Sequence, residues 1–160
     1  MTFLPDTYEV PEKEGQYMKF KQGENRFRIL SSPIIGWEWW DENKKPVRIP
    51  MTAQVPVQYA EAVKHFWAMP VWNYQSGKIQ VLEVTQKGIQ KYIKSLANNP
   101  KWGSPTEYDL IVSREGEGLE TEYTYLADPK EELTTQIVTA FKNTPIKLDA
   151  LFKGEDPFKG

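Results

Sequence analysis

From His65 to Thr85 the chain reads HFWAMPVWNY, then QSG, then KIQVLEVT. Two runs rich in aromatic and β-branched residues flank a short polar turn that ends in glycine. That pattern predicts an antiparallel hairpin, the most strongly specified element of this sequence. Pro70 has no N–H to give to a ladder, so its strand is expected near an edge or a bulge.

Shorter strand signals surround this hairpin. In YMKFK (17–21) and NRFRIL (25–30) the apolar residues Met18, Phe20, Phe27 and Ile29 alternate with polar ones, and Gln22-Gly23-Glu24-Asn25 reads as a turn between them. If those four residues face a core, Tyr17, Lys19, Lys21, Arg26 and Arg28 face the other way. IIGWEWW (34–40) and VRI (47–49) are two more short strands joined by Asn43-Lys44-Lys45-Pro46, and positions 51–64 read as a loop with a helical turn. In QKGIQKYIKSLAN (86–98), Ile89, Ile93 and Leu96 form an apolar stripe at helical spacing with Tyr92 alongside, Thr85 is a plausible N-cap, and Lys87, Lys91 and Lys94 fall on the opposite face. EYDLIVSREGEGLETEYTYLA (107–127) predicts a further hairpin with its tip at Arg114 to Gly118. Residues 129–142 and 146–152 read as C-terminal helices.

The expected organisation is an extended N-terminal arm (1–16), a core over 17–126 with a helix at about 86–97, and C-terminal helices with a short tail (127–160). Short antiparallel strands with one inserted helix predict a mainly β fold with added helices, an OB-fold-like five-stranded Greek-key barrel being the commonest such design. Another small β-barrel or an α+β sheet satisfies the same periodicity.

Composition narrows the function classes. The 160 residues are 39% hydrophobic and 26% charged, with six tryptophans and mean hydropathy −0.61, which suits one soluble domain. The sequence shows no apolar run of about 18 residues and no signal-peptide pattern at its start, so no membrane partner and a cytoplasmic setting are expected. Without cysteine, disulfides and thiolate zinc sites are excluded, and one histidine, His65, is too little for a metal or nucleophile constellation. Phosphate-binding glycine loops and a Gly-x-Ser-x-Gly elbow are also absent. No metal, no cofactor and no enzymatic activity are therefore expected; His65 reads as a partly buried strand residue or a phosphate contact.

The net charge is only −2, but its distribution is uneven. Residues 13–94 hold 13 Lys/Arg against 7 Asp/Glu, and residues 95–160 hold 7 against 12. The basic half is also the aromatic half: Trp37, Trp39, Trp40, Phe66, Trp67, Trp72 and Tyr74 lie among Lys44, Lys45, Arg48, Lys64, His65 and Lys78. Aromatic faces for bases and cations for phosphates are the combination that binds single-stranded nucleic acid. By alternation about half of these rings belong to a core. In IIGWEWW, Ile35, Trp37 and Trp39 share one face while Ile34, Glu38 and Trp40 share the other, and isoleucine on both leaves the wet face open. Sugar stacking and a protein-interaction adaptor using the acidic half remain as alternatives.

YMKFKQGENRFRIL, GWEWW, KHFWAMPVWNY, GKIQVLEVTQKGIQKYI and WGSPTEYDLIVSREGEGLETEYT together resemble the core of phage single-stranded DNA-binding, helix-destabilising proteins of OB-fold type, over roughly residues 17–126. The resemblance implies sequence-independent binding of single-stranded DNA in phage replication or recombination, in the cytoplasm of an infected bacterial host. It implicates Trp37, Trp39 or Trp40, Phe66, Trp67, Trp72 and Tyr74 as stacking residues. Lys19, Lys21, Arg26, Arg28, Lys44, Lys45, Arg48 and Lys64 are implicated as phosphate contacts. Some relatives carry a Cys/His zinc ribbon, which this chain cannot build. Relatives commonly end in a strongly acidic tail that recruits replication partners; GEDPFKG is a faint version, and the C-terminal region is the expected contact for phage replication or recombination proteins.

Overall fold

A computed structural model describes residues 3–4 and 15–159. The arm expected at 1–16 lies largely outside the described residues. The fold is mainly β: among the described residues, eight strands form one mixed sheet, with two short α-helices. The strands are β1 (Tyr17–Met18), β2 (Gly23–Ile29), β3 (Ile34–Trp40), β4 (Pro46–Pro50), β5 (Lys64–Asn73), β6 (Lys78–Val84), β7 (Leu110–Glu115) and β8 (Glu122–Ala127). Helix α1 is Lys87–Ala97 and α2 is Thr135–Lys142. The main path runs β1-β6-β5-β2-β7-β8, and β3 and β4 branch from β5. No helix among the described residues is long and apolar enough to cross a membrane.

The β5–β6 hairpin forms as its sequence predicts, with Asn73 opposite Lys78 and Gly77 supplying a φ of +64° in the turn. β5 is nevertheless not an edge strand. One of its sides pairs continuously with β6 from Trp67 to Asn73, while the other pairs first with β3 (Lys64 to Ala68) and then with β2 (Val71 to Asn73). Pro70 falls at the changeover between β3 and β2, where no ladder asks for its missing N–H, and its carbonyl accepts from Leu30 N at 2.9 Å.

The expected hairpin of 17–21 with 25–30 is corrected. β1 pairs parallel with β6, and β2 inserts between β5 and β7. The reason is Asn25, buried at the start of the ladder. Its amide donates to the carbonyls of Lys21, Gly23 and Val112 and its oxygen accepts from Lys21 N, so the bend is tied to β7 and not to its own preceding strand.

Three clusters of buried residues give the sheet its two covered sides. The largest joins Phe27, Ile29, Met69, Val71, Leu82, Leu110 and Val112 under Ile89, Ile93 and Leu96, the predicted stripe of α1. On the opposite side, Phe66, Ala68 and Val81 pack under Leu151, and Trp72 and Ile79 pack under Ile137. The C-terminal segment is thus a second cover. Its expected long helix is shortened to α2 because the backbone after Pro129 bonds to other parts of the fold and not to itself: Glu131 N bonds Glu107 O at 3.1 Å and Glu131 O accepts from Arg28 at 2.9 Å. Thr134 then caps α2 through Ile137 N. The second expected helix is a 3-10 turn at Leu148–Lys153. Residue 86, not Thr85, precedes α1 as its cap, without a side-chain bond.

Gly36 is where β3 is pressed between β4 and β5. A Cβ there would sit 2.1 Å from Ile49 O and 3.0 Å from a Phe66 ring carbon. Gly36→Ala is therefore expected to cost about 1–3 kcal/mol, read as a lower urea midpoint at unchanged slope. An unaltered midpoint would contradict this packing.

Candidate nucleic-acid interface

The register of β3 against β5 places Trp37 directly opposite His65, and Trp67 lies two residues along β5 on the same side. The Trp37 and His65 ring centroids are 5.1 Å apart with planes 56° from parallel. Trp67 Nε1 donates to His65 Nε2 at 3.3 Å, and His65 Nδ1 meets Gly36 O at 3.0 Å. Both contacts are satisfied together by a neutral imidazole carrying its proton on Nδ1. Trp37 Nε1 donates to Met51 O at 3.4 Å. All three rings are partly exposed, and they line a groove of about 480 Å³.

Helix α1 forms the other wall. Val84, the register partner of Trp67, ends β6, and the helix begins three residues later. Lys87, Lys91 and Lys94 therefore stand along the groove at helical spacing, with Lys64 at the start of β5 completing it. Gln90 ties the walls together: its Nε2 donates to His65 O at 3.1 Å and Val84 O at 2.9 Å. Among the described residues none of these four lysines is paired with a carboxylate.

The arginines are spent differently. Arg28, 2% exposed, gives Nε to Asp109 at 2.8 Å and its remaining nitrogens to the carbonyls of Thr106 and Glu131. Arg26 pairs with Asp109 and Asp128, and Tyr74 donates to Asp109 at 2.8 Å. Burial and that hydrogen bond push the Tyr74 phenol up to about 12. Arg48 bridges Glu38 (3.1 Å) and Glu83 (2.9 Å) beside the Phe66 ring. The expectation that Arg26, Arg28 and Arg48 offer free charge to phosphate is corrected: each is neutralised by carboxylates of the fold.

Three expected stacking rings are corrected likewise. Phe66 is fully buried against Val81, Leu151 and Phe152; Trp72 is buried under Ile137; and Trp39, though on the face of Trp37, is covered by Tyr59 at 5.3 Å between centroids. Trp40 is 49% exposed on the opposite face, near Lys44 and Lys45 in the exposed turn between β3 and β4. Lys44 takes a φ of +60°, its turn held by Asp41, whose carboxylate accepts from the backbone N–H of Asn43 and Lys45. Lys19 and Lys21 are exposed along a separate polar groove with Asn73 and Gln80. Of the fifteen expected residues, the groove thus gathers Trp37, Lys64 and Trp67. It adds His65, which the sequence offered as a partly buried strand residue or a phosphate contact, and Lys87, Lys91 and Lys94, whose signal was their spacing on the exposed face of α1.

Comparisons with protein-family models, with curated proteins and with solved structures find no match to this chain.

Glu38 is 2% exposed. Burial raises its carboxyl to about 8 from an ordinary 4.5, the neighbouring Glu83 adds to the rise, and Arg48 opposes it. The folded protein therefore holds a proton that the unfolded chain releases. That contribution to stability is complete below pH 4.5 and is lost as pH climbs through about 8. The melting temperature should fall over that window, and Glu38→Gln should flatten the fall. Equal slopes in the two proteins would contradict the assignment.

Proposed function

We propose that this chain is a sequence-independent single-stranded DNA-binding protein of OB-fold type that acts in phage replication or recombination. One observation carries the reading: a row of partly exposed rings, Trp37–His65–Trp67, runs beside four lysines that no carboxylate among the described residues pairs. The strand order β6-β5-β2-β7-β8, with α1 between β6 and β7 and β1 added at the β6 edge, supports the reading of this sheet as a partly open five-stranded Greek-key barrel.

The chemistry favours single strands and tolerates any sequence. A ring can stack only on a base whose face is free, and duplex bases already stack on one another. Both indole N–H groups are committed within the protein, so they are not available to read base edges. The lysines supply mobile point charges that follow a backbone of variable shape. Opened strands are held by stacking and charge neutralisation, so melting of a duplex follows from mass action with no nucleotide hydrolysis. The C-terminal region is the expected contact for phage replication or recombination proteins.

Titration of fluorescently labelled oligo-dT by anisotropy tests this. Trp37→Ala and Trp67→Ala should each weaken binding by about 1–3 kcal/mol. With four lysines on phosphate, log affinity should fall against log salt with a slope of about −3, reduced by about 0.7 for each lysine removed. Absence of binding at low salt, or a flat salt response, would refute the proposal.

A further inference from the structure

His65 stands at the middle of the groove, yet both of its ring nitrogens are occupied within the protein. An indole N–H can only donate, so Trp67 needs an acceptor, and Nε2 of an unprotonated His65 is that acceptor. The acceptor is oriented in turn by Gly36 O, which receives Nδ1–H and fixes the tautomer. Gly36 O is itself held, because β3 is paired on both sides and has no room for a side chain at that position. A rigid relay therefore runs from the β3 backbone through His65 to the Trp67 ring. The same residue's carbonyl receives Gln90 of α1, the helix that carries three of the four lysines. One residue thus connects the ring row to the lysine row.

We infer that His65 is a positioning residue for single-stranded nucleic acid, the neutral imidazole that holds Trp67 and Trp37 in stacking attitude across the groove. The inference rests on the reading of the groove given above. It distinguishes His65 from a third stacking ring: phenylalanine would keep the aromatic face and lose the relay, while glutamine would lose the face and keep an acceptor near the place of Nε2.

The full chain labelled with 15N-tryptophan tests the relay, the Trp67 indole signal being identified by its loss in Trp67→Phe. In His65→Phe the Trp67 indole proton should exchange with water about tenfold faster, and oligo-dT affinity should fall about tenfold, the worth of one stacking contact. His65→Gln should stay within about threefold of the parent in both measurements. If His65→Phe fails to fold, His65→Gln and the indole signal of the parent chain decide the matter: rapid exchange of that proton in the parent overturns the relay. Full affinity in His65→Phe, with Trp67→Ala weakened, overturns the positioning role and leaves the nucleic-acid reading standing. Full affinity in Trp67→Ala overturns that reading, and the inference with it.

Discussion

The sheet depends on how β5 divides one of its sides between two neighbours. Toward β6 its ladder is continuous; toward the other side it serves β3 and then β2, with Pro70 at the changeover. On either side of that point Met69 and Val71 look into the core closed by α1. Toward the start of the strand the same face continues as Trp67, packed against the edge of that core and partly exposed, and then as His65. The groove is thus a core surface carried outward on the β3 branch and left partly uncovered. Apolar rings at its floor are what a strand leaving a core naturally displays. The helix that closes the core then brings its polar face to the rim.

Charge is sorted by residue type. Arginines, whose planar forks satisfy several acceptors at once, are placed within the fold: Arg28 at Asp109 and two carbonyls, Arg48 between Glu38 and Glu83. The groove is lined by lysines that no carboxylate among the described residues pairs. Removing one partner of the Arg28–Asp109 pair would leave a buried charge, at a cost of about 3–5 kcal/mol. The lysines carry no such structural debt. A surface of this kind can exchange partners without disturbing the core, as the proposed non-specific binding requires.

Much of this was legible locally. The β5–β6 and β7–β8 hairpins follow from alternation and turn glycines, and α1 follows from Ile89, Ile93 and Leu96. What alternation could not show is that both sides of the sheet are covered. Arg28 and Phe66 fall on faces assigned to solvent or ligand, and each is buried by segments distant in sequence, Asp109 with Glu131 in one case and Leu151 with Phe152 in the other. The parallel β1–β6 pair is non-local and has no turn signature. For the tryptophan strand, isoleucines on both faces concealed the choice, which rests on Tyr59: it covers Trp39 and leaves Trp37 beside His65.

The central claim is that bases meet the protein at the Trp37–His65–Trp67 row. Photocrosslinking with an oligonucleotide whose thymines are replaced by 5-iodouracil reads this directly, because the excited base joins to an aromatic ring stacked against it. Peptide mapping should find the links at Trp37 and Trp67, lost in the presence of excess unlabelled oligo-dT. Links confined to Trp40, or to the β7–β8 tip, with Trp37 and Trp67 unmodified, would contradict the claim.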